Sequence, residues 1–250
     1  MASPKLPKRL EKEPLIDAVF EIRFTSEVPA SNLLPGILFS QLKGEKIIGA
    51  LPITQIPKPV RDADPNLQFA PVNRLEWNRF VVNIGDRSIS IGCKLPYPGW
   101  SAFRSAICEV GSLLAKSDIV KAVERYSIRY VDLIPSAIID KKALPVDLEL
   151  RLAGHILSNE HFQVLMEISE GEFVNAVRVI SSAIAKLPTG DSQEGMIVDI
   201  DTIANTQGDA IDVFLDRFSE KLDAIHVINK KMFFDALTNE IIETLGPVYD

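Results

Sequence analysis

The chain has 250 residues, of which 46% are hydrophobic and 24% charged, and its formal net charge is −7. These values suit a globular protein that buries a full core, and they exclude a disordered, collagen-like or disulfide-scaffold chain. The acidic balance also opposes any broad affinity for phosphate backbones, so nucleic-acid binding would need a local basic patch.

Residues 1–13 are polar and charged and lack the apolar core of a signal peptide; they read as a flexible tail. No apolar run approaches the roughly 18–20 residues that span a bilayer, so the expected address is the cytoplasm, without a membrane partner. Ordered structure is expected from Pro14. Between Leu15 and Phe24, Ile16, Ala18, Phe20, Ile22 and Phe24 alternate with Asp17, Val19, Glu21 and Arg23, the period of a half-buried strand. Ser31 offers an N-cap to a short helix through about Leu42. Five prolines between Gly49 and Pro71 indicate a long connection with at most short strands. Strands are predicted at 74–78, 80–84 and 87–93, with Gly85-Asp86 supplying hairpin-turn chemistry.

Residues 98–116 carry Trp100, Phe103, Ile107, Val110, Leu113 and Leu114 on one stripe and are predicted helical. A strand over 123–134 follows, with Tyr126, Ile128 and Tyr130 assigned to the core. A helix is expected over 145–157. Two antiparallel strands, 162–169 and 173–184, turn at Gly171. A loop at 186–195 leads to a strand at 196–202. Asp209 is placed to cap a helix in which Ile211, Phe214, Leu215, Phe218, Leu222 and Ile225 recur at helical spacing. A last helix, bent near Thr238, stops at Gly246-Pro247.

The two halves, about 14–135 and 136–250, rhyme: each offers strand, turn or loop, strand, then amphipathic helix. The expected fold class is therefore α+β, one domain with a curved, mostly antiparallel sheet and helices on one face, built from two pseudo-repeated ββα halves.

Three phrases, EPLIDAVFEIRF, RYSIRYVDLI and LDAIHVINKKMFFDALTNEIIETLG, stand in order along the chain. Together they resemble the opening strand, central strand and C-terminal helix of a sporadically distributed bacterial family of uncharacterised function. Where that family's pattern has Glu and Asn, this chain has Asp17 and Asp132. The resemblance implies one domain and brings no catalytic residue. Its sporadic distribution suggests an accessory role in a defence or toxin-linked locus.

The chain has no phosphate-binding glycine loop, dinucleotide fingerprint, nucleophile elbow or HExxH. Cys93 and Cys108 read as small buried thiols, and His155, His161 and His226 lack metal-ligand spacing, with His226 read as sitting near a helix C-terminus. No cofactor and no metal are expected. Asp199 and Asp201 would share a strand face about 7 Å apart, a pair able to hold a divalent ion if a third carboxylate such as Glu21 or Asp132 joined them. Arg125 and Arg129 likewise share a face. If these strands lie in one sheet, a single face carries Arg23, Arg125, Arg129, Asp199 and Asp201: either a solvated ion-pair lattice or a binding surface. Trp77 and Trp100 are assigned to the core or edge. The favoured function is a binding protein for a protein partner or an extended anionic ligand, with self-association open. The alternatives are a metal-dependent hydrolase or nuclease using Asp199 and Asp201, and a nucleic-acid binder without catalysis.

Overall fold

The computed structural model describes residues 6–65, 67–139, 144–157, 160–186 and 190–249. The elements run β1 (Arg9–Leu10), β2 (Leu15–Ser26), α1 (Leu34–Gln41), β3 (Lys46–Ala50), α2 (Lys58–Ala63), β4 (Pro71–Trp77), β5 (Phe80–Gly85) and β6 (Ser88–Cys93). Then come α3 (Trp100–Lys116), β7 (Val120–Pro135), β8 (Arg151–Leu152), β9 (His155–Ile156), β10 (Gln163–Glu170), β11 (Phe173–Lys186) and β12 (Ser192–Ala210). The chain finishes with α4 (Ile211–Asp216), α5 (Phe218–Ala236), α6 (Asn239–Leu245) and β13 (Pro247–Val248). The class is α+β: nine strands form one open antiparallel sheet, ordered β10-β11-β12-β7-β2-β6-β5-β4-β3, with helices packed against it.

The topology contains a repeat longer than the ββα expected. Strands β2, β4, β5 and β6 precede α3, and β7, β10, β11 and β12 precede α4 and α5. In each set the first strand lies beside the fourth, so that β4-β5-β6-β2 and β10-β11-β12-β7 have the same internal order.

Contacts group the chain into two compact units, Met1–Ile16 with Arg129–Thr202 and His226–Asp250, and Asp17–Ile128 with Ile203–Ile225. In the second of these, strand pairing sorts residues into rows. Phe20 lies opposite Ile91, Ile91 opposite Val82 and Val82 opposite Leu75, and all four are buried. The next rows are Ile22–Ile89–Ile84 and Cys93–Phe80–Trp77. Aromatic rings from the helices close this face, Phe103 stacked on Phe80 and Phe218 edge-on to Phe20. Gly111 of α3 gives Phe218 its room: a Cβ there would lie 2.8 Å from the ring.

The core of the first unit joins Val177 and Val179 of β11, Met196, Val198 and Ile200 of β12, and Met232 and Phe233 of α5. A buried polar triad crosses it. Asn229 on α5 donates to the Ile200 carbonyl and to Thr202 Oγ1, and Thr202 donates to Asn175 Oδ1 at 2.7 Å. The chain's beginning is tied down here, because β1 pairs antiparallel with β13. Residues 9–12, read as part of a flexible tail, are thus backbone-bonded, with Glu11 and Lys12 donating to the carbonyls of Gly246 and Leu245.

Several local expectations are corrected. Residues 145–157 are not helical; they hold the small β8–β9 hairpin, whose turn uses positive φ at Ala153 and Gly154. Ser31 caps no helix, because its hydroxyl donates to Asp86 instead. Asp209 lies inside β12 and its carboxylate pairs with Lys221 at 3.6 Å, so α4 starts after Ala210. Helix α5 continues to Ala236, which puts His226 in mid-helix beside Tyr130 rather than at a C-terminus. Both cysteines are half-buried, and burial pushes the Cys93 thiol up to about 12. Thr238 does mark the bend, capping α6 by accepting from the Ile241 N–H.

Truncating buried Phe218 to alanine is expected to cost about 3–5 kcal/mol in urea unfolding. Gly111→Ala should destabilise the wild type by crowding the Phe218 ring. In a Phe218→Ala background the same change should be neutral or stabilising, since alanine exceeds glycine by about 1 kcal/mol in a helix. Additive effects would show that the ring and Gly111 are not in contact.

Candidate functional site

In the unit formed by 17–128 and 203–225, the strand residues opposite the apolar rows make a polar ladder. Glu21 lies across from Ser90, Ser90 from Asn83 and Asn83 from Arg74. Arg74 Nε donates to Asn83 Oδ1 at 3.0 Å. Beside this row Arg23 donates to Glu21 at 2.6 Å, and its guanidinium carbon sits 4.5 Å from the centre of the Phe69 ring. Arg87 approaches the same ring at 5.4 Å and donates to Glu124 at 2.9 Å. The two guanidinium carbons are therefore no further apart than the sum of those ring distances.

Local structure explains how Phe69 comes to lie there. Ser88 Oγ donates to the Phe69 carbonyl at 2.7 Å, and Gly85 leaves no room for a Cβ, which would fall 2.9 Å from the Ala70 carbonyl. The connection after α2 thus crosses the end of the β5–β6 hairpin. Its other anchor is Arg61, which donates to the Ile56 carbonyl and pairs with Asp86 at 2.9 Å in the two-residue turn Asp86-Arg87. Arg61 and Asp86 are both buried. Burial raises the Asp86 carboxyl, but hydrogen bonds from Ser31 and Arg61 and the charges of Arg61 and Lys58 outweigh it and hold the group below the usual carboxylate range.

In the other unit, Arg129 grips Asp199 with a two-pronged fork, Nε to Oδ1 and a terminal nitrogen to Oδ2, both at 2.7 Å. Asp199 is buried while Arg129 remains exposed. Asp201 is half-buried two positions along β12. Asp132 is buried on β7; desolvation first, then the charges of Glu13 and Asp199, hold its carboxyl well above the usual range. Burial raises Glu13 as well.

The sequence-derived set is thus distributed. Arg129 and Asp199 meet directly, whereas Arg23 and half-buried Arg125 belong to the other compact unit. Of the two suggested third carboxylates, Asp132 feels the charge of Asp199, while Glu21 is bound to Arg23. Both Asp199 oxygens are occupied by Arg129, and among the described residues no group of three His, Cys, Asp or Glu could hold a metal ion. Sequence reasoning passed over Phe69, Arg87 and Glu124. The usable signal was Phe69, the single aromatic residue in the proline-rich stretch 49–71, which has to find a surface to cover.

Two pH effects of opposite sign follow. A folded-state pKa raised at Asp132 means stability present below its unfolded value, about 4, and lost as pH rises through the folded one. Asp132→Asn should therefore be more stable than wild type at pH 8, the gain shrinking as pH falls toward about 4. For Asp86 the folded value is lowered, so its contribution is full above about pH 4 and lost as pH falls through the folded value. Asp86→Asn should be less stable than wild type at pH 7, the gap closing in acid. Urea unfolding at several pH values measures both, and a parallel pH response in both variants would contradict the assignment.

Against known proteins, no family model matches the chain and no curated protein matches it.

Proposed function

We propose that the chain is a binding protein whose polar sheet face takes an extended, acidic polypeptide segment. The observation that supports this is the pair Arg23 and Arg87, both held on the one Phe69 ring and each paired with a carboxylate. A guanidinium held on a ring keeps its donors in a fixed fork that matches carboxylates, and little side-chain entropy is left to lose on binding. Glu21 and Glu124 act as internal stand-ins that an incoming carboxylate exchanges with. The ladder of Ser90, Asn83 and Arg74 alongside adds donors and acceptors suited to a peptide.

A polypeptide fits better than a nucleic-acid strand. Arg23 and Arg87 are each matched by a glutamate and share one aromatic ring, where a strand with a charge on every nucleotide wants surplus cations and successive stacking platforms. A metal-dependent hydrolase built on Asp199 and Asp201 has against it that Arg129 occupies both oxygens of Asp199. A peptide-binding module of this kind suits an accessory role in a defence or toxin-linked locus.

Fluorescence anisotropy with a labelled oligo-glutamate peptide and a labelled oligo-thymidylate tests the reading. The peptide is expected to bind, to weaken with salt, and to lose at least about tenfold in affinity with Arg23→Ala/Arg87→Ala, which is about 1.4 kcal/mol. The double variant should lose little melting temperature, because both half-buried pairs lie at the surface, where an ion pair contributes about 0–1 kcal/mol. Unchanged peptide binding by the variant, or tighter binding of the oligonucleotide, would overturn the proposal.

A further inference from the structure

Strand β10 is the terminal strand of the nine-stranded sheet and, among the described residues, pairs only with β11, from Gln163 opposite Ile180 to Glu170 opposite Phe173. A two-residue turn, Gly171-Glu172, with Gly171 at φ 61°, closes that hairpin. In such a hairpin the closing pair is hydrogen-bonded and bonded pairs alternate, so Gln163, Leu165, Glu167 and Ser169 direct their N–H and C=O groups away from β11.

The edge is apolar on both faces, with exposed Glu167 as the one charge inside it. Leu165 is 57% exposed, and Met166 and Ile168 are close to 40%. Within QVLMEISE there is no lysine, arginine, proline or glycine to discourage pairing. The opposite edge, β3, is shorter and carries both Lys46 and Gly49.

We infer that β10 is a self-association edge: it pairs antiparallel with β10 of a second copy about a two-fold axis at Leu165, joining the two sheets. The strand is self-complementary in that register. Residues facing each other must share a face, which requires the axis to pass through a residue position. Centred on Leu165, leucine meets leucine and Val164 meets Met166. Gln163 meets Glu167, an amide against a carboxylate. The register also brings Glu160 opposite Glu170, but each is already paired within its own chain, Glu160 with His155 and Glu170 with Lys231. Centring on Met166 would set Leu165 against Glu167, and centring on Glu167 would oppose two free carboxylates. An unrelated strand would gain the same backbone bonds but not this matching of side chains and charge. The inference rests on β10 alone and is independent of the polar face.

Sedimentation of the full chain over the micromolar range tests it. Wild type is expected as a dimer, and Leu165→Lys as a monomer with an unchanged melting temperature, since Leu165 is exposed. A hydrogen-bonded antiparallel pair places Cα atoms about 5.5 Å apart, inside the disulfide range of about 4.4–6.8 Å. Oxidised Leu165→Cys should therefore form a covalent dimer, whereas Ser169→Cys, eight strand positions from its symmetry mate, should stay at the level of oxidised wild type. A monomeric wild type, a Leu165→Lys variant that still dimerises, or crosslinking at 169 in preference to 165 would each overturn the proposal.

Discussion

In a paired sheet, opposite residues share a face, and this constraint governs the rest of the molecule. Phe20, Ile91, Val82 and Leu75 form one buried row across four strands, and that row forces Glu21, Ser90, Asn83 and Arg74 onto the other face. The two sides are unequal in energy. Each large apolar side chain contributes about 1.5–3 kcal/mol on burial, against about 0–1 for an exposed ion pair. The apolar rows therefore choose the register, and the position of Arg23 beside Phe69 is a by-product of burying Phe20, Ile22 and Phe24. A slip of one residue would invert both faces at once.

Legibility in the sequence followed the same hierarchy. Strands with clean alternation, β2, β6 and β11, were readable, as were β5 and β10 from the turns that bound them, the stripe through Phe214, Phe218 and Leu222, and the face of Arg23. What failed was local chemistry that a distant partner captures. Ser31 and Asp209 are good caps by type, but Asp86 and Lys221 claim their side chains. Residues 145–157 have helix-forming composition, yet Ala153-Gly154 folds back as a hairpin. Helix α2 was hidden among prolines, though Pro59 sits in its first turn, where proline is tolerated. The meeting of Arg129 with Asp199 joins residues 70 apart, and here strand parity, which put both on one face, did anticipate an ion pair.

Buried polar groups set limits that apolar packing alone does not. Asn175, Thr202 and Asn229, all buried, link β11, β12 and α5 through hydrogen bonds. The amide nitrogen of Asn175 finds no acceptor among the described residues, which leaves one unmet donor in the network. Leucine or valine in any of these places would pack, but would not distinguish one alignment of β11, β12 and α5 from its neighbours.

The pairing of Arg9 and Leu10 with Val248 and Pro247 has a consequence for the order of synthesis. Lys8 and Glu11 bond to the carbonyls of Val248 and Gly246, so these early residues wait on the ribosome for partners made more than two hundred codons later. The core containing Met232, Phe233 and Leu245 is in the same position, since its strands are translated well before the helices that cover them. Residues 17–128, by contrast, hold β2, β4, β5, β6 and α3 in one continuous stretch, and that much of the apolar row structure can assemble while translation is still in progress. Nascent chains stalled before residue 230 would therefore leave Val177, Val198 and Ile200 uncovered, and it is over that interval that a chaperone has most to hold.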